Sequence, residues 1–479
     1  MNRPIRRVAL VCFVLFTVLM LNVTYNVVVR QSSLNADARN RRVRDAEFAQ
    51  DRGPILAGQV QIARTEPSDG QFAFQRVYDQ PYLYAPITGY YSYDHGSTAL
   101  EAKYSSKLAG TDDSQFVRRV LDVATGEKPK GASVETTIVP AAQEAAFAGL
   151  DGKKGAVVAS DPKTGAILAM VTTPSFDPNT IGSHDLSDSN EAYARLADDP
   201  DRPLSNRATR EIYPPGSVFK LVTASAALEN GRPVDQPVDS PAQLTLPGTQ
   251  AQLGNDMPCG GSQVTMEQAL AVSCNTAFAN LALELGPDKM RDQAEKFGFG
   301  TQPLTDLNAV ASRYPDEMDD AQLAMTGIGQ YDVAATPLQI NMVTSAIANH
   351  GQLYRPYVVE TVRASNLSPI ETHRPDLMGK PLSGENADAI AGMMETVVDE
   401  GTGTNVQISG VDVGGKTSTA QSDPSRPPYA WFTAFARNDD GEPVVAVTVF
   451  VEDAGVERSQ VSGGGLAAPI ARDVMESLL

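Results

Sequence analysis

Ser217 stands three residues before Lys220 in the stretch YPPGSVFKL (213–221). At that spacing a hydroxyl and an amine lie on one face of a helix. An amine held beside a hydroxyl in a partly dry site can take its proton and turn it into a nucleophile. At average residue usage about two such pairs arise by chance in a chain this long, so the pair alone is weak. Two further elements strengthen it. Ser273-Cys274-Asn275 offers a second hydroxyl and an amide that both donates and accepts hydrogen bonds. Lys416-Thr417-Ser418 offers a second cation flanked by short polar side chains. Together they point to covalent catalysis through a serine.

The elements that must carry these residues are legible in outline. Pro214-Pro215-Gly216 is a turn feeding an apolar helix over 217–229, and helical patterns follow at 265–285 and 336–349. Two strand-like runs in 154–173 flank the turn Asp161–Gly165. A second hairpin pairs 430–437 with 443–452, and a final helix is expected over 466–479. Strand pair, helices, strand pair and helix imply an α/β or α+β catalytic domain, a sheet covered by helices. Before it, residues 51–132 read as a smaller mixed region. Its tyrosine-rich stretch 76–93 reads as strands and turns, with the tyrosines there for packing. Residues 233–262 are rich in Pro, Gly, Gln and Asp and read as an exposed insertion.

Composition removes other classes. The 479 residues carry a formal net charge of -19, which argues against a nucleic-acid partner, because phosphates need basic surface. The four histidines, His95, His184, His350 and His373, fit neither a nucleophile elbow nor a metal-ligand pattern, so neither a Ser-His-Asp triad nor a metal site is expected. His350 reads as a helix end. Cys12 lies in a hydrophobic run. Cys259 and Cys274 could pair in an oxidising compartment, the alternative being a buried free thiol at Cys274.

Residues 8–29 carry no charged side chain and follow Arg3, Arg6 and Arg7. Such a run is long enough to span a bilayer, for which about 20 residues suffice. The rival reading is a cleaved signal peptide ending at Ala36-Asp37-Ala38, but the apolar run exceeds the usual ~7–15 residues. Arg30, Arg39, Arg41, Arg42 and Arg44 follow the segment, so local charge does not orient it; long domains translocate regardless. The expected organisation is a short cytoplasmic tail (1–7), a transmembrane anchor (8–29), a non-catalytic domain (30–132) that opens with a polar stalk (30–50), and a catalytic domain (133–479).

The ordered motifs ASDPKTGAILAMVTTPSFDPN (159–179), NRATREIYPPGSVFKL (206–221), TMEQALAVSCNTAFANLALELG (265–286), TGIGQYDVAATPLQI (326–340), EGTGTNVQISGVDVGGKTSTAQ (400–421) and AWFTAFA (430–436) resemble the class B penicillin-binding proteins, most closely the penicillin-binding protein A type. The resemblance runs from about 134 to the last residue, and Arg52-Gly53 resembles the start of the family's non-catalytic region. It implies the penicillin-binding transpeptidase fold, similar to the serine β-lactamases, with a central antiparallel sheet. It implies a membrane-anchored D,D-transpeptidase outside the cytoplasmic membrane that cross-links peptidoglycan stem peptides ending in D-Ala-D-Ala. β-Lactam antibiotics would acylate it, a polytopic membrane glycosyltransferase would be its partner, and no cofactor would be needed.

Residue by residue, the resemblance makes Ser217 the nucleophile, Lys220 its base, and Ser273 a proton relay to the leaving nitrogen. Asn275 would hold a peptide backbone and Lys416 the donor carboxylate. Thr417, on a strand, should point away from the Lys416 face. Thr419 would supply a backbone N–H that forms an oxyanion hole with that of Ser217, and its hydroxyl would reach the donor carboxylate. The plainer readings are a helix cap for Ser273, a surface lysine for Lys416 and a snorkelling lysine for Lys220. The chain departs from the family at Ser418, where glycine is usual; a side chain there shares a face with Lys416 and could crowd the donor, the antibiotic or the packing under Ser217. Rival functions are a β-lactamase or D,D-carboxypeptidase, which pass the acyl group to water, and a weakly catalytic β-lactam-binding scaffold.

Overall fold

The computed structural model describes residues 2–30, 45, 47–70, 72–115, 130–421 and 426–479. Most of the expected stalk, Ala36-Asp37-Ala38, and Arg39, Arg41, Arg42 and Arg44 lie outside the described residues. Helix α1 (Asn2–Val28) contains the apolar segment. Within Arg3–Val28 an 18-residue window has a mean hydropathy of 2.3 and none of it is buried against the rest of the chain, which makes the helix a candidate membrane span.

The part of the chain that carries the motif residues is organised on an antiparallel five-stranded sheet. Its strands are β1 (Lys154–Ser160), β2 (Ile167–Thr173), β3 (Asp412–Ala420), β4 (Tyr429–Arg437) and β5 (Pro443–Asp453). Their order is β3-β4-β5-β1-β2, so β3 is an edge strand with one side of its backbone unpaired within the sheet. Both faces are buried, which is why the strands read as near-continuous apolar runs. One face is covered by α2 (Pro140–Gly149) and by the C-terminal helix. That helix is α-helical over Ala468–Glu476 and is preceded by a π-helical turn, Gly463–Ala467. The other face meets a helical lobe. Its buried centre is the helix Pro337–Ala348, whose Asn341 amide donates to Ala446 O at 3.0 Å and Val158 O at 3.3 Å. His350 lies just past the end of that helix, at φ 51.

The second sheet has six strands, drawn from distant parts of the chain. Their order is Pro369–Thr372, Val359–Arg363, Ser133–Thr136, Ile55–Ala57, Val60–Pro67 and Phe74–Tyr78. Beneath it, Glu101 is fully buried between Arg52 and Arg76, accepting from each Nε at 2.6 Å. Burial pushes the Glu101 carboxyl up, but the two guanidinium groups outweigh it and hold its pKa below the ordinary value.

The stretch 76–93, expected as strands and turns, is helical at its centre: Pro81–Thr88 is a helix with proline in its first turn. Proline presets φ for helix initiation, and this local signal overrides the β-propensity of the tyrosines. Only Phe74–Tyr78 and the two-residue strand Tyr91–Ser92 flank it.

Candidate active site

Ser217 sits in a 3₁₀ turn, Gly216–Phe219, that runs directly into helix α3 (Lys220–Glu229). Val218 and Phe219 are buried and anchor the turn, while Ser217 itself stays partly accessible. Lys220 opens α3 and is fully buried. Its amine donates to Ser273 O at 2.7 Å, to Asn275 Oδ1 at 2.8 Å and to Ser273 Oγ at 3.2 Å. Burial pushes the Lys220 pKa well below that of an ordinary lysine; the charge of Lys416 pushes it further down, and Asp256 opposes both.

The stretch 265–285, expected as one helix, is two. Helix α4 (Met266–Ala271) ends before Ser273, and helix α5 (Asn275–Leu285) begins after it. Ser273 takes a left-handed φ of 58. The N–H of Cys274 bonds to Ala269 O at 2.7 Å and that of Ser273 to Leu270 O at 3.1 Å. This is the Schellman helix ending, with serine where glycine is usual. A left-handed residue with a Cβ costs about 1–2 kcal/mol. The strain gives the site a hydroxyl and a free carbonyl, both within reach of Lys220, which a continuous helix would have turned away.

The 233–262 stretch holds this break in place. Asn255 Oδ1 accepts the N–H groups of Asn275 and Thr276 at 2.8 and 3.0 Å, capping α5 from outside the helix. Caps of this kind contribute roughly 0.5–2 kcal/mol. Gly254 O accepts from the Asn275 side-chain amide at 3.1 Å. Cys259 and Cys274 are joined by a disulfide, resolving the alternative left open by the sequence. The insertion is therefore exposed on one side and bonded to the site on the other.

Lys416 reaches the same oxygen from the sheet. Its amine donates to Ser273 Oγ at 2.9 Å and to Thr417 O at 2.9 Å. It is fully buried, which lowers its pKa to about 7 against the opposing pull of Asp256. Thr417 faces the other way, its hydroxyl 2.6 Å from that of Thr402. Thr419 is exposed at the end of the strand. Ser418 is buried, and its Oγ accepts the backbone N–H of Ser217 at 2.8 Å.

The arrangement favours proton transfer at Ser217. A neutral Lys220 has two N–H donors and one lone pair. The Ser273 carbonyl and the Asn275 amide oxygen take both donors, which leaves the lone pair for a hydroxyl. Ser273 Oγ, shared by two amines, is placed to pass a proton between groups around it. Among the described residues no cluster of His, Cys, Asp and Glu is placed to hold a metal.

The motif residues Lys220, Ser273, Asn275 and Lys416 thus form one hydrogen-bonded cluster, one helical turn from Ser217. Sequence reasoning missed Gly254, Asn255 and Asp256. The only signal that could have found them was Cys259, whose bond to Cys274 draws the whole loop to the second motif.

Residues 155–476 match the penicillin binding protein transpeptidase domain, and 52–134 match the penicillin binding protein A dimerisation domain. The chain is 43% identical to the peptidoglycan D,D-transpeptidase PbpA of Mycolicibacterium smegmatis over 100% of this chain and 99% of that one. It is 40% identical to the PbpA of Mycobacterium tuberculosis, again over 100% and 99% of the two chains. Its structure is similar to that of penicillin-binding protein A from M. tuberculosis as the ceftriaxone acyl-enzyme complex, with a TM-score of 0.87 at 40% identity over 91% of this chain and 100% of that one. The penicillin G acyl-enzyme complex of the same protein gives a TM-score of 0.84 at 40% identity, over 89% and 99% of the two chains.

Proposed function

The chain belongs to the penicillin-binding protein transpeptidase family, and from that premise we propose that it is a peptidoglycan D,D-transpeptidase working through a Ser217 ester. The observation that carries the reading is the buried cluster Lys220–Ser273–Lys416, one turn from a partly accessible serine.

Lys220, neutral because it is buried beside another amine, takes the Ser217 proton. Ser217 Oγ bonds to the carbonyl carbon of the penultimate D-Ala. The oxyanion that forms is met by the backbone N–H groups of Ser217 and Thr419; losing one such donor typically costs about 2.7–4 kcal/mol of barrier. The tetrahedral adduct collapses as its C–N bond breaks, and Ser273 delivers the proton to the departing D-Ala nitrogen. An amine from a second stem peptide then attacks the ester, gives up a proton to the same relay and restores the Ser217 hydroxyl. Lys416, and the Thr419 hydroxyl at the mouth of the cleft, attract the donor carboxylate. Asn275 orients the peptide with the amide hydrogen not used on Gly254. A β-lactam enters the first half of this path and stays on Ser217 as an ester.

With α1 in the membrane, the catalytic domain sits on its outer side, beside a polytopic glycosyltransferase that supplies glycan strands. Intact-mass measurement after exposure to penicillin tests the reading. The native chain should gain one penicilloyl mass and Ser217→Ala none. A native chain that stays unmodified refutes it, and rapid turnover of the antibiotic would favour a β-lactamase instead.

A further inference from the structure

Position 418 carries serine where the family usually has glycine, and the structure gives that serine a definite contact. Ser418 is 2% exposed, and its Oγ accepts the Ser217 N–H at 2.8 Å. In the reaction proposed above, that N–H is one of two donors to the developing oxyanion. An amide nitrogen carries a single hydrogen. While it points at Ser418 Oγ, it is not free for a substrate oxygen.

We propose that the Ser418 hydroxyl occupies an oxyanion donor in the resting enzyme and must rotate away before Ser217 can be acylated. Ser418 is on this account a positioning residue that slows acylation without altering the binding that precedes it. The proposal rests on the acyl-enzyme reading.

Both backbones are pinned, so the contact cannot open by moving either one. Gly216 holds a left-handed φ of 57, and its N–H bonds to Gly329 O at 2.9 Å. A Cβ at Gly216 would lie 2.5 Å from Ser418 Oγ and 2.8 Å from Ala420 Cβ, so the turn already touches β3. From the opposite side, a Cβ at Gly463 would lie 2.7 Å from Ser418 O and 2.9 Å from Ser418 N. The strand is clamped between the 3₁₀ turn and the π-helical turn, with Ser418 paired to Trp431 in register. The remaining freedom is rotation about the Ser418 Cα–Cβ bond, at the expense of one hydrogen bond.

The test uses the full chain with a fluorescent penicillin in stopped flow, which separates initial binding from acylation. Ser418→Gly and Ser418→Ala both delete the oxygen, and Ser418→Ala keeps the Cβ. In both, the acylation rate constant should rise about 2- to 10-fold, the worth of one such hydrogen bond, with initial binding unchanged. The gain should fall on the acylation step alone; a purely structural role for Ser418 would shift initial binding or stability as well. An alanine variant that acylates no faster than the native chain, or whose gain appears in initial binding instead, overturns the proposal. A native chain that forms no adduct fails the acyl-enzyme reading instead, so the two failures are distinct.

Discussion

Lys220 and Lys416 meet at one oxygen: the Ser273 hydroxyl lies 3.2 Å from the first amine and 2.9 Å from the second. Two cations so close, both fully buried, cannot both hold their protons at ordinary lysine values. Burial first, and the charge of Lys416 second, hold the Lys220 pKa well below that of an ordinary lysine, as a base for Ser217 requires.

This coupling has a pH signature. Acylation should climb as Lys220 loses its proton, well below the range of a free lysine, and fall as Lys416 loses its own near about 7. Lys416→Met removes the like charge, so the Lys220 pKa rises. The ascending limb of the residual acylation should then move to higher pH. A pH series of penicillin acylation checks this; a limb that stays put, or moves down, contradicts the coupling.

The left-handed backbone at Ser273 predicts an inverted stability order. Glycine is free of the strain there and alanine is not. Ser273→Gly should therefore be more stable than Ser273→Ala by about 1 kcal/mol in denaturant unfolding. Both should acylate at least ~100-fold more slowly than the native chain if the hydroxyl relays protons.

Opening the disulfide should loosen chemistry and fold together. Cys259 and Cys274 are 15 residues apart, and closing a loop of that size is worth about 3 kcal/mol in the chain-entropy model. The double variant Cys259→Ser with Cys274→Ser should lose stability of that order and acylate more slowly, because Asn255 and Gly254 no longer hold Asn275. Thermal unfolding and acylation rates with and without reductant measure both effects.

Glu101→Gln separates fold from chemistry. It leaves Arg52 and Arg76 buried without a counter-charge, a loss of about 3–5 kcal/mol. The unfolding midpoint should drop sharply, while the protein that remains folded takes up penicillin at the native rate.

The sequence disclosed the site more fully than the fold. Ser217, Lys220, Ser273, Asn275 and Lys416 carry functional groups whose types and spacing are visible without coordinates. The two hairpins of the catalytic sheet were legible for a similar reason, since apolar runs broken by Asp, Gly and Asn have few other readings. The break at Ser273 was not legible, because Schellman endings are signalled by glycine and here the signal residue is absent. The helix Pro81–Thr88 was hidden by tyrosines that favour strands. Ser418 showed as a departure from its family, but its bond to the Ser217 N–H depends on how closely the turn approaches β3, and no local pattern encodes that distance.

The six-stranded sheet constrains how the molecule comes into being. Ile55–Ala57 pairs with Ser133–Thr136, and that strand in turn pairs with Val359–Arg363. During synthesis the early strands emerge long before their last neighbours are made, so the sheet stays open-sided until more than two hundred further residues have been added. Cutting the chain between the two halves would strip the Val359–Arg363 ribbon of its partner and leave an unsatisfied hydrogen-bonding edge. Neither half is thus a free-standing part, and a shortened version that begins after residue 136 should clump rather than fold.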